Sequence, residues 1–329
     1  MHVDVYIYSS PLHTRFRGLT VRDGLLLRGP AGWGEASPFW DYGPTYSAAW
    51  LRAGIEAATC GFPVALRGSI PVNVTVPATD PERAARIVTR GTCTTAKVKV
   101  AEPGQSLADD LSRVAAVRDA LGASGKIRID VNGAWSVADA LAAIPALDRA
   151  AGGLEYVEQP VADVADLARV RRKSTVRIAA DESIRRASDP LHVKRLNAAD
   201  VIVVKNQPLD GVRAALAIAA EIGLPVVVSS ALESSIGIRA GLAFAAALPE
   251  LEFACGLATV QLLTADPVAD SLLPVAGEIA VRDVVPADLP APDPQLAARW
   301  EQRLAQMWDY CGVDATYTLH TDAYVRSPQ

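Results

Sequence analysis

Six ionisable residues recur along the chain at a nearly constant stride. Lys97 and Lys99, then Asp130, Glu158, Asp181 and Lys205, each sit at the end of a short apolar run, and the intervals from Asp130 onwards are 28, 23 and 24 residues. Each interval is about one strand plus one helix. Lys205 is the clearest case: Val201-Ile202-Val203-Val204 runs straight into it, with Asn206 and Pro208 just after. A continuous apolar run bounded by turn residues reads as a buried parallel strand. Parallel barrels place their chemistry at the C-terminal ends of such strands. Lys97 and Lys99 share one face of their strand because side chains alternate with period two.

The residue types then select a chemistry. Three converging carboxylates with no histidine or thiolate form a hard, all-oxygen site that suits Mg²⁺, with Mn²⁺ as a possible substitute, better than zinc. Three such charges do not stay ionised together without a cation. Facing lysines are expected to have lowered pKa values from mutual repulsion and partial burial, which suits bases working near neutrality. A metal with bases across a barrel suits proton abstraction beside a carboxylate, through an enediolate. Taken singly, an acid at a strand end is often only a cap for the next helix, and a lone Lys97 is more often a solvated edge residue. The set in register is harder to dismiss.

Other chemistries are disfavoured. His2, His13, His192 and His320 fall on no strand end, and no HExxH is present. Cys60, Cys93, Cys255 and Cys311 form no CxxC pair, which argues against zinc ligation, and buried free thiols in a reducing cytosol are expected. Gly32-Trp33-Gly34 begins like a dinucleotide fingerprint, but Ser37 stands where the third glycine is needed and Pro38 follows. The net charge of −5 argues against nucleic acid as the main partner. The N-terminus lacks a basic region followed by a long apolar run, and no stretch approaches the roughly 18 apolar residues of a membrane span. The expectation is a cytoplasmic protein with a small-molecule carboxylate partner, and neither nucleic acid nor membrane.

The elements that position these residues follow from pattern. The 329 residues suit one large domain plus a smaller one, and 50% hydrophobic with only 6% aromatic residues suits an aliphatic core. From residue 70 onwards eight apolar runs can be counted: 72–76, 96–100, 127–131, 154–158, 176–180, 201–205, 226–230 and 252–256. Helical segments separate them. Asp80-Pro81 opens one that Gly91 closes; Ser106 with Asp109 opens the next, ended by Gly122, and Ser136 with Asp139 a third. Another runs from Gly211 to Gly223. Eight strands alternating with helices suggest a closed (β/α) barrel, with a doubly wound open sheet as the alternative.

Residues 1–68 read differently, as an α+β unit. Val3 to Tyr8 alternates like a half-buried strand, Gly18 to Leu27 and Gly32 to Ala36 follow in antiparallel style, and Ser47 to Thr59 reads as a helix. Between them, the loop Ser37 to Pro44 carries Phe39, Trp40 and Tyr42, suited either to covering a ligand or to plugging the unit's own core. After residue 261 the period breaks down. Residues 262–290 are rich in Pro and Asp, with a strand-like piece from Glu278 to Val281. Residues 294–309 read as an amphipathic helix with Trp300, Leu304 and Trp308, and the last twenty residues show no clear period. The expected division is 1–68, 69–261 and a C-terminal segment 262–329 that packs back towards the first unit.

At Lys97-Val98-Lys99, Asp130-Val131-Asn132, Glu158-Gln159-Pro160, Asp181-Glu182-Ser183 and Lys205-Asn206 the sequence resembles the enolase superfamily, in its muconate-lactonizing-enzyme subgroup. Gly32 to Pro38 resembles the capping-domain loop, so the resemblance spans nearly the whole chain. It implies a modified TIM barrel with an N-terminal α+β capping domain. It implies Mg²⁺ on Asp130, Glu158 and Asp181, Lys99 as the base, Lys205 stabilising the enediolate from across the ring, and Lys97 supporting Lys99 and the substrate carboxylate. Asn132 and Glu182 would brace those groups. Ser229, Ser230 and Gly256 would border the substrate pocket together with Phe39 and Tyr42.

Within the subgroup, the chain length and Ser229 to Gly237 look most like the branch that dehydrates a succinyl-substituted hydroxycyclohexadiene carboxylate to an aromatic acid. Such an elimination is strongly downhill, so only the first proton-removal barrier needs lowering. The same motifs suit an N-acylamino acid racemase or a dipeptide epimerase. A Schiff-base aldolase using Lys205 is a further alternative, but it leaves three carboxylates without a task. A binding protein that has lost catalysis is another, against which the intact Lys99 and Lys205 argue.

Overall fold

A computed structural model describes residues 1–186 and 189–326. The chain opens with β1 (His2–Phe16), β2 (Leu19–Gly29), β3 (Gly32–Ala36) and helix α1 (Pro44–Cys60). β1 and β2 form an antiparallel hairpin whose two turn residues, Arg17 and Gly18, both have positive φ (51° and 77°), the geometry that matches strand twist in a two-residue turn. Next come β4 (Ser69–Pro71), β5 (Val74–Val76), α2 (Pro81–Arg90), β6 (Thr95–Lys99), α3 (Leu107–Leu121), β7 (Lys126–Asp130), α4 (Val137–Ala151), β8 (Leu154–Glu158), α5 (Val164–Lys173) and β9 (Ile178–Ala180). They are followed by the one-turn helices α6 (Glu182–Arg185) and α7 (His192–Arg195), then β10 (Val201–Val204), α8 (Val212–Ile222), β11 (Val226–Val228) and α9 (Ser235–Ala247). The chain ends in β12 (Glu278–Ala280), α10 (Pro294–Asp309) and β13 (Thr316–His320). The expected helix punctuation is present: Asp80 caps α2, Ser106 and Asp109 cap each other at α3, and the Ser136 hydroxyl accepts from the Asp139 amide at α4.

β5 to β11 form one parallel sheet in sequence order. The run 252–256, expected as an eighth strand, is not a regular strand. It closes the barrel through two single bridges, Ser229 to Gly256 and Val72 to Cys255. A side chain at Gly256 would crowd the Ser229 hydroxyl at 2.6 Å, so the last stave approaches its neighbour only because that residue is glycine.

Although the strands read as unbroken apolar runs, alternation still sorts them. Ala96, Val98, Ile127, Ile129, Ile202 and Val204 pack outward against the helices. Tyr156, Ala179, Val201, Val203, Val227 and Phe253 fill the interior as a separate cluster. That plug forms the floor beneath the strand ends.

The first three strands belong to a second sheet, ordered β13-β1-β2-β3. β13 pairs in parallel with β1, so the tail, which shows no clear period, supplies an edge strand. Its alternation was hidden because only one face packs: the strand has no fully buried residue. This placement also corrects the histidines. His2 starts β1 and His320 ends β13, where it stacks on Tyr6 at 4.7 Å. Both lie in the small sheet, away from the barrel strands. α10 lays Trp300, Leu304 and Met307 against Val5, Leu27 and Leu51, joining the C-terminal helix to this sheet in one core. Among the cysteines, Cys93, Cys255 and Cys311 are buried and Cys60 is exposed, so the expectation of buried thiols fails at Cys60, in the last turn of α1. Among the described residues no helix is long and apolar enough to cross a membrane.

α1 sits unusually close to β3. A Cβ on Gly34 would overlap the Gly54 carbonyl, and one on Gly54 would meet Leu27 at 2.9 Å. Overpacking of this kind typically costs about 1–3 kcal/mol. Gly34→Ala should therefore lower the unfolding free energy by about that amount, read from the urea midpoint at unchanged m-value.

Candidate active site

Register brings the strand-end residues to one level. Lys99 pairs with Asp130 across β6 and β7, and Asp130 pairs with Glu158 across β7 and β8. Asp181 and Lys205 directly follow β9 and β10, and Ser229 follows β11. All are interior positions: Asp130, Glu158, Asp181, Lys205 and Ser229 stand two residues beyond members of the apolar plug or beyond Arg128, and Lys99 stands two beyond Lys97. Arg128 is fully buried and donates to the Tyr156 hydroxyl (2.9 Å) and the Ala254 carbonyl (2.8 Å), and it pairs with Glu155. The barrel mouth therefore stands on a buried floor. A smaller crevice of about 320 Å³ opens at the strand starts, among Lys126, Leu154 and Arg177, on the side away from these residues.

Amines and acids interleave at the mouth. The Lys97 ammonium donates to both Glu158 oxygens (3.1 and 3.2 Å) and lies 3.2 Å from Asp130. Lys99 donates to Asp130 Oδ2 and Asn132 Oδ1, each at 2.6 Å. Lys205 donates to Asp181 Oδ2 at 2.5 Å, and Arg185 donates to Asp181 Oδ1 at 3.0 Å. Among the described residues, no three His, Cys, Asp or Glu side chains stand together as a ready ligand cluster. The three acids are drawn to one rim, but ammonium groups stand between them, because buried like charges repel and seek counter-charges.

The electrostatics differ from the expected picture of lowered lysines. Burial alone would drive Lys97 down, yet Glu158 and Asp130 outweigh it and hold the ammonium well above its ordinary value. Burial does lower Lys205, against the opposing pull of Asp181. Burial would raise Asp130, but Lys99 and Lys97 keep it well below the carboxylate range. Asp181 is likewise buried but is lowered to about 2 by Arg185 and Lys205. Glu158 is pushed up to about 7, first by burial and then by the Asp130 charge. Lys97 sits between two carboxylates, so it stays charged and Glu158 bears the repulsion. The all-oxygen donor set of Asp130, Glu158 and Asp181 fits a hard divalent cation.

A cavity of about 830 Å³ lies above the mouth. Lys97, Lys99, Asp130, Asp181 and Lys205 line it, as do Asn132, Glu182, Ser229, Ser230, Gly256, Phe39 and Tyr42. Glu158 does not line it; it is fully buried, with both oxygens on Lys97. Asn132 joins Lys99 to Glu182, donating to Glu182 Oε1 at 3.2 Å. The aromatic loop serves both readings considered for it: Phe39 and Tyr42 face the cavity, while Trp40 packs on the core at Trp300 (4.7 Å).

Several residues at the site carry no strand-end signal. Arg185 binds Asp181, Glu182 and the Tyr42 hydroxyl (3.2 Å); its i+4 spacing from Asp181 on a helical turn is the one available clue. Gln159 Oε1 accepts from the Asp181 and Ser183 amides (3.0 and 3.1 Å) and so aims the segment that carries Asp181. Arg17, at the hairpin turn, stacks on Phe39 at 4.0 Å and donates to the Tyr42 hydroxyl at 2.8 Å. Arg22 ties the capping loop to the barrel loop through the Ser37 and Leu232 carbonyls. Glu35 accepts from Tyr8 (2.8 Å), Ser37 (2.6 Å) and the Ser234 and Gly237 amides (3.1 and 3.0 Å), capping α9 from the other sheet.

The enolase-like pattern extends over both parts of the chain. The family model described as enolase C-terminal domain-like matches residues 80–286, and the one described as enolase N-terminal domain-like matches residues 7–58. The chain belongs to the enolase superfamily. It is 60% identical over 299 residues to the o-succinylbenzoate synthase of Thermobifida fusca, covering 91% of this chain and 94% of that protein. It is 52% identical over 297 residues to the o-succinylbenzoate synthase of Mycolicibacterium smegmatis, covering 88% of this chain and 91% of that protein. Among solved structures, the muconate lactonizing enzyme of Pseudomonas fluorescens superposes with a TM-score of 0.73 at 24% identity, covering 92% of this chain and 97% of that one; it shows the shared fold.

The barrel loop over the site has its own titratable group. Glu233 is buried and accepts from the Ala231 amide at 2.5 Å, and burial, with the Glu35 charge, pushes it up to about 7. An acid raised in the folded state binds more protons there than in the unfolded state, so it contributes stability below its ordinary value of 4.5 that is lost as pH rises through about 7. Glu233→Gln should remove that contribution. Thermal unfolding across this window should show a smaller fall in Tm with rising pH than the unmodified protein shows.

Proposed function

We propose that the chain catalyses the Mg²⁺-dependent syn dehydration of 2-succinyl-6-hydroxy-2,4-cyclohexadiene-1-carboxylate to 2-succinylbenzoate, the o-succinylbenzoate synthase step of menaquinone biosynthesis. The observation that carries this reading is identity of 50–60% with o-succinylbenzoate synthases along nine-tenths of the chain. The site geometry is consistent with it.

Lys99 is the amine best placed to meet substrate. Its side chain is 19% exposed, against 9% for both Lys97 and Lys205, and it lines the cavity. In this reading Lys99 Nζ takes the proton from the carbon beside the carboxylate, and the electron pair moves into that carboxylate to give an enediolate. Lys205, reaching in from the other side of the sheet's curl, places a positive charge against the developing anion. Lys99 then returns its proton to the departing hydroxyl as the ring becomes aromatic. Lys97, held between Glu158 and Asp130, contributes charge without giving up a proton. Asp130, Glu158 and Asp181 would hold Mg²⁺, whose bound charge lowers the cost of the enediolate. Asn132 and Glu182 brace Lys99 and Arg185.

Two measurements test these roles. Lys99→Ala should cut o-succinylbenzoate formation by about 10²- to 10⁴-fold with Mg²⁺ affinity near normal; substantial remaining turnover would remove Lys99 as the base. Asp181→Asn should weaken Mg²⁺ binding in calorimetry, and an unchanged affinity would count against the acid set. The direct assay is run beside α-proton exchange on N-succinyl amino acids. Lysines on two sides of one cavity also suit 1,1-proton transfer, and exchange faster than dehydration would favour racemisation.

A further inference from the structure

We propose that Arg303, a residue of the C-terminal helix that does not line the cavity, is a positioning residue for the substrate pocket: it fixes the Phe39–Tyr42 wall and through it sets substrate affinity. The inference rests on the proposed function only for the identity of the substrate. Arg303 Nη2 donates to the Phe39 carbonyl (2.7 Å), the Tyr42 carbonyl (3.1 Å) and the Ser47 hydroxyl (2.9 Å). Residues 37–43 form neither helix nor strand, and the segment's own backbone bond is that of Tyr42 N to the Phe39 carbonyl, 3.1 Å. One guanidinium, supplied about 260 residues later in the chain, therefore bridges the Phe39 and Tyr42 carbonyls, while Ser37 is held separately by Arg22 and Gln207.

The guanidinium itself lies against two adjacent indoles. It lies 4.7 Å from the Trp40 ring and 5.6 Å from that of Trp300. Both indoles are anchored, since Trp40 Nε1 and Trp300 Nε1 donate to Asp23 at 3.0 and 2.7 Å. Arg303 is only 7% exposed, and no carboxylate pairs with it among the described residues. A buried cation without an ion-pair partner is costly to keep. What it provides here is one terminal nitrogen, Nη2, that reaches carbonyls at both ends of a turn and lies one bond further along the side chain than a lysine ammonium would.

The pocket side of the same turn is occupied. The Phe39 ring receives Arg17 at 4.0 Å and Arg22 at 4.6 Å, and the Tyr42 hydroxyl receives Arg17 and Arg185. Moving the turn would displace this wall while leaving the Lys99 and Asp130 side of the cavity in place. The signature is a change in substrate binding rather than in the chemical step.

Arg303→Lys and Arg303→Met, in the full chain with Mg²⁺ present and folding verified by circular dichroism and Tm, should raise KM about 10-fold while kcat changes by less than about 3-fold. Combined with Phe39→Ala, the KM effects should be less than additive. KM unchanged in a folded variant, kcat falling as far as kcat/KM, or strict additivity would each overturn the proposal. Hydrogen exchange on the free protein reads the same claim without turnover: peptides covering residues 39–43 should exchange about 10-fold faster in Arg303→Met, with the barrel strands unaffected. Unchanged exchange there also overturns it. If the unmodified protein formed no o-succinylbenzoate, the functional reading would fail while exchange still decided the role of Arg303. If Arg303→Met does not fold, Arg303→Lys and Ser47→Ala carry the same measurements.

Discussion

Charge balance inside the barrel mouth is the constraint on which the rest of the structure depends. Three carboxylates and three ammonium groups stand at the ends of adjoining strands, and each acid is essentially without solvent exposure. Water cannot solvate them, so each must meet an opposite charge within hydrogen-bond reach. Adjacent parallel strands in matched register supply that, since neighbouring interior positions lie at one height. A register slip of one residue on β7 would send Asp130 into the helical layer and leave Lys99 unpaired. The apolar plug and Arg128 below keep the mouth from opening on the far side.

The second requirement is a lid whose position is set by the barrel. The small sheet reaches the barrel through polar groups buried on both sides. Glu35 caps α9, Arg22 spans the Ser37 and Leu232 carbonyls, and the Ser37 amide donates to Gln207 Oε1 at 3.1 Å. Gln207 lies two residues after Lys205, so one short segment carries both a charged group of the mouth and an anchor of the lid. Buried polar contacts of this kind tolerate few alternative dockings, because a shifted arrangement would leave several groups unsatisfied. The C-terminal helix adds its own hold through Arg303 and the two indoles.

The division between what was legible and what was not has a physical basis. Strand ends were legible because each strand is an apolar run that stops at a charge, and parallel strands repeat at the length of a βα unit. Helix ends at Asp80, Ser106 and Ser136 were legible because capping is local chemistry. Closure of the barrel by 252–256 was overstated, since two bridges joined through Gly256 do the work of a full strand. β13 was missed because a half-packed edge strand has weak alternation. Arg17 and Arg303 carry no local signature, as each acts on partners brought near only by folding; Arg185 offers only its helical spacing from Asp181, and Gln159 only its place beside Glu158.

By itself, the amino-acid order determined which residues could bear charge at strand ends, the alternation that turns them inward, and the βα stride that places them on one rim; these depend on spacing along the chain and on side-chain type. Tertiary structure decided which amine meets which acid. It also decided that Lys97 is raised while Lys205 is lowered, and that residues some 260 positions apart share one pocket wall. Those outcomes depend on distance and on the removal of water, and neither exists until the barrel closes and the small sheet docks over it.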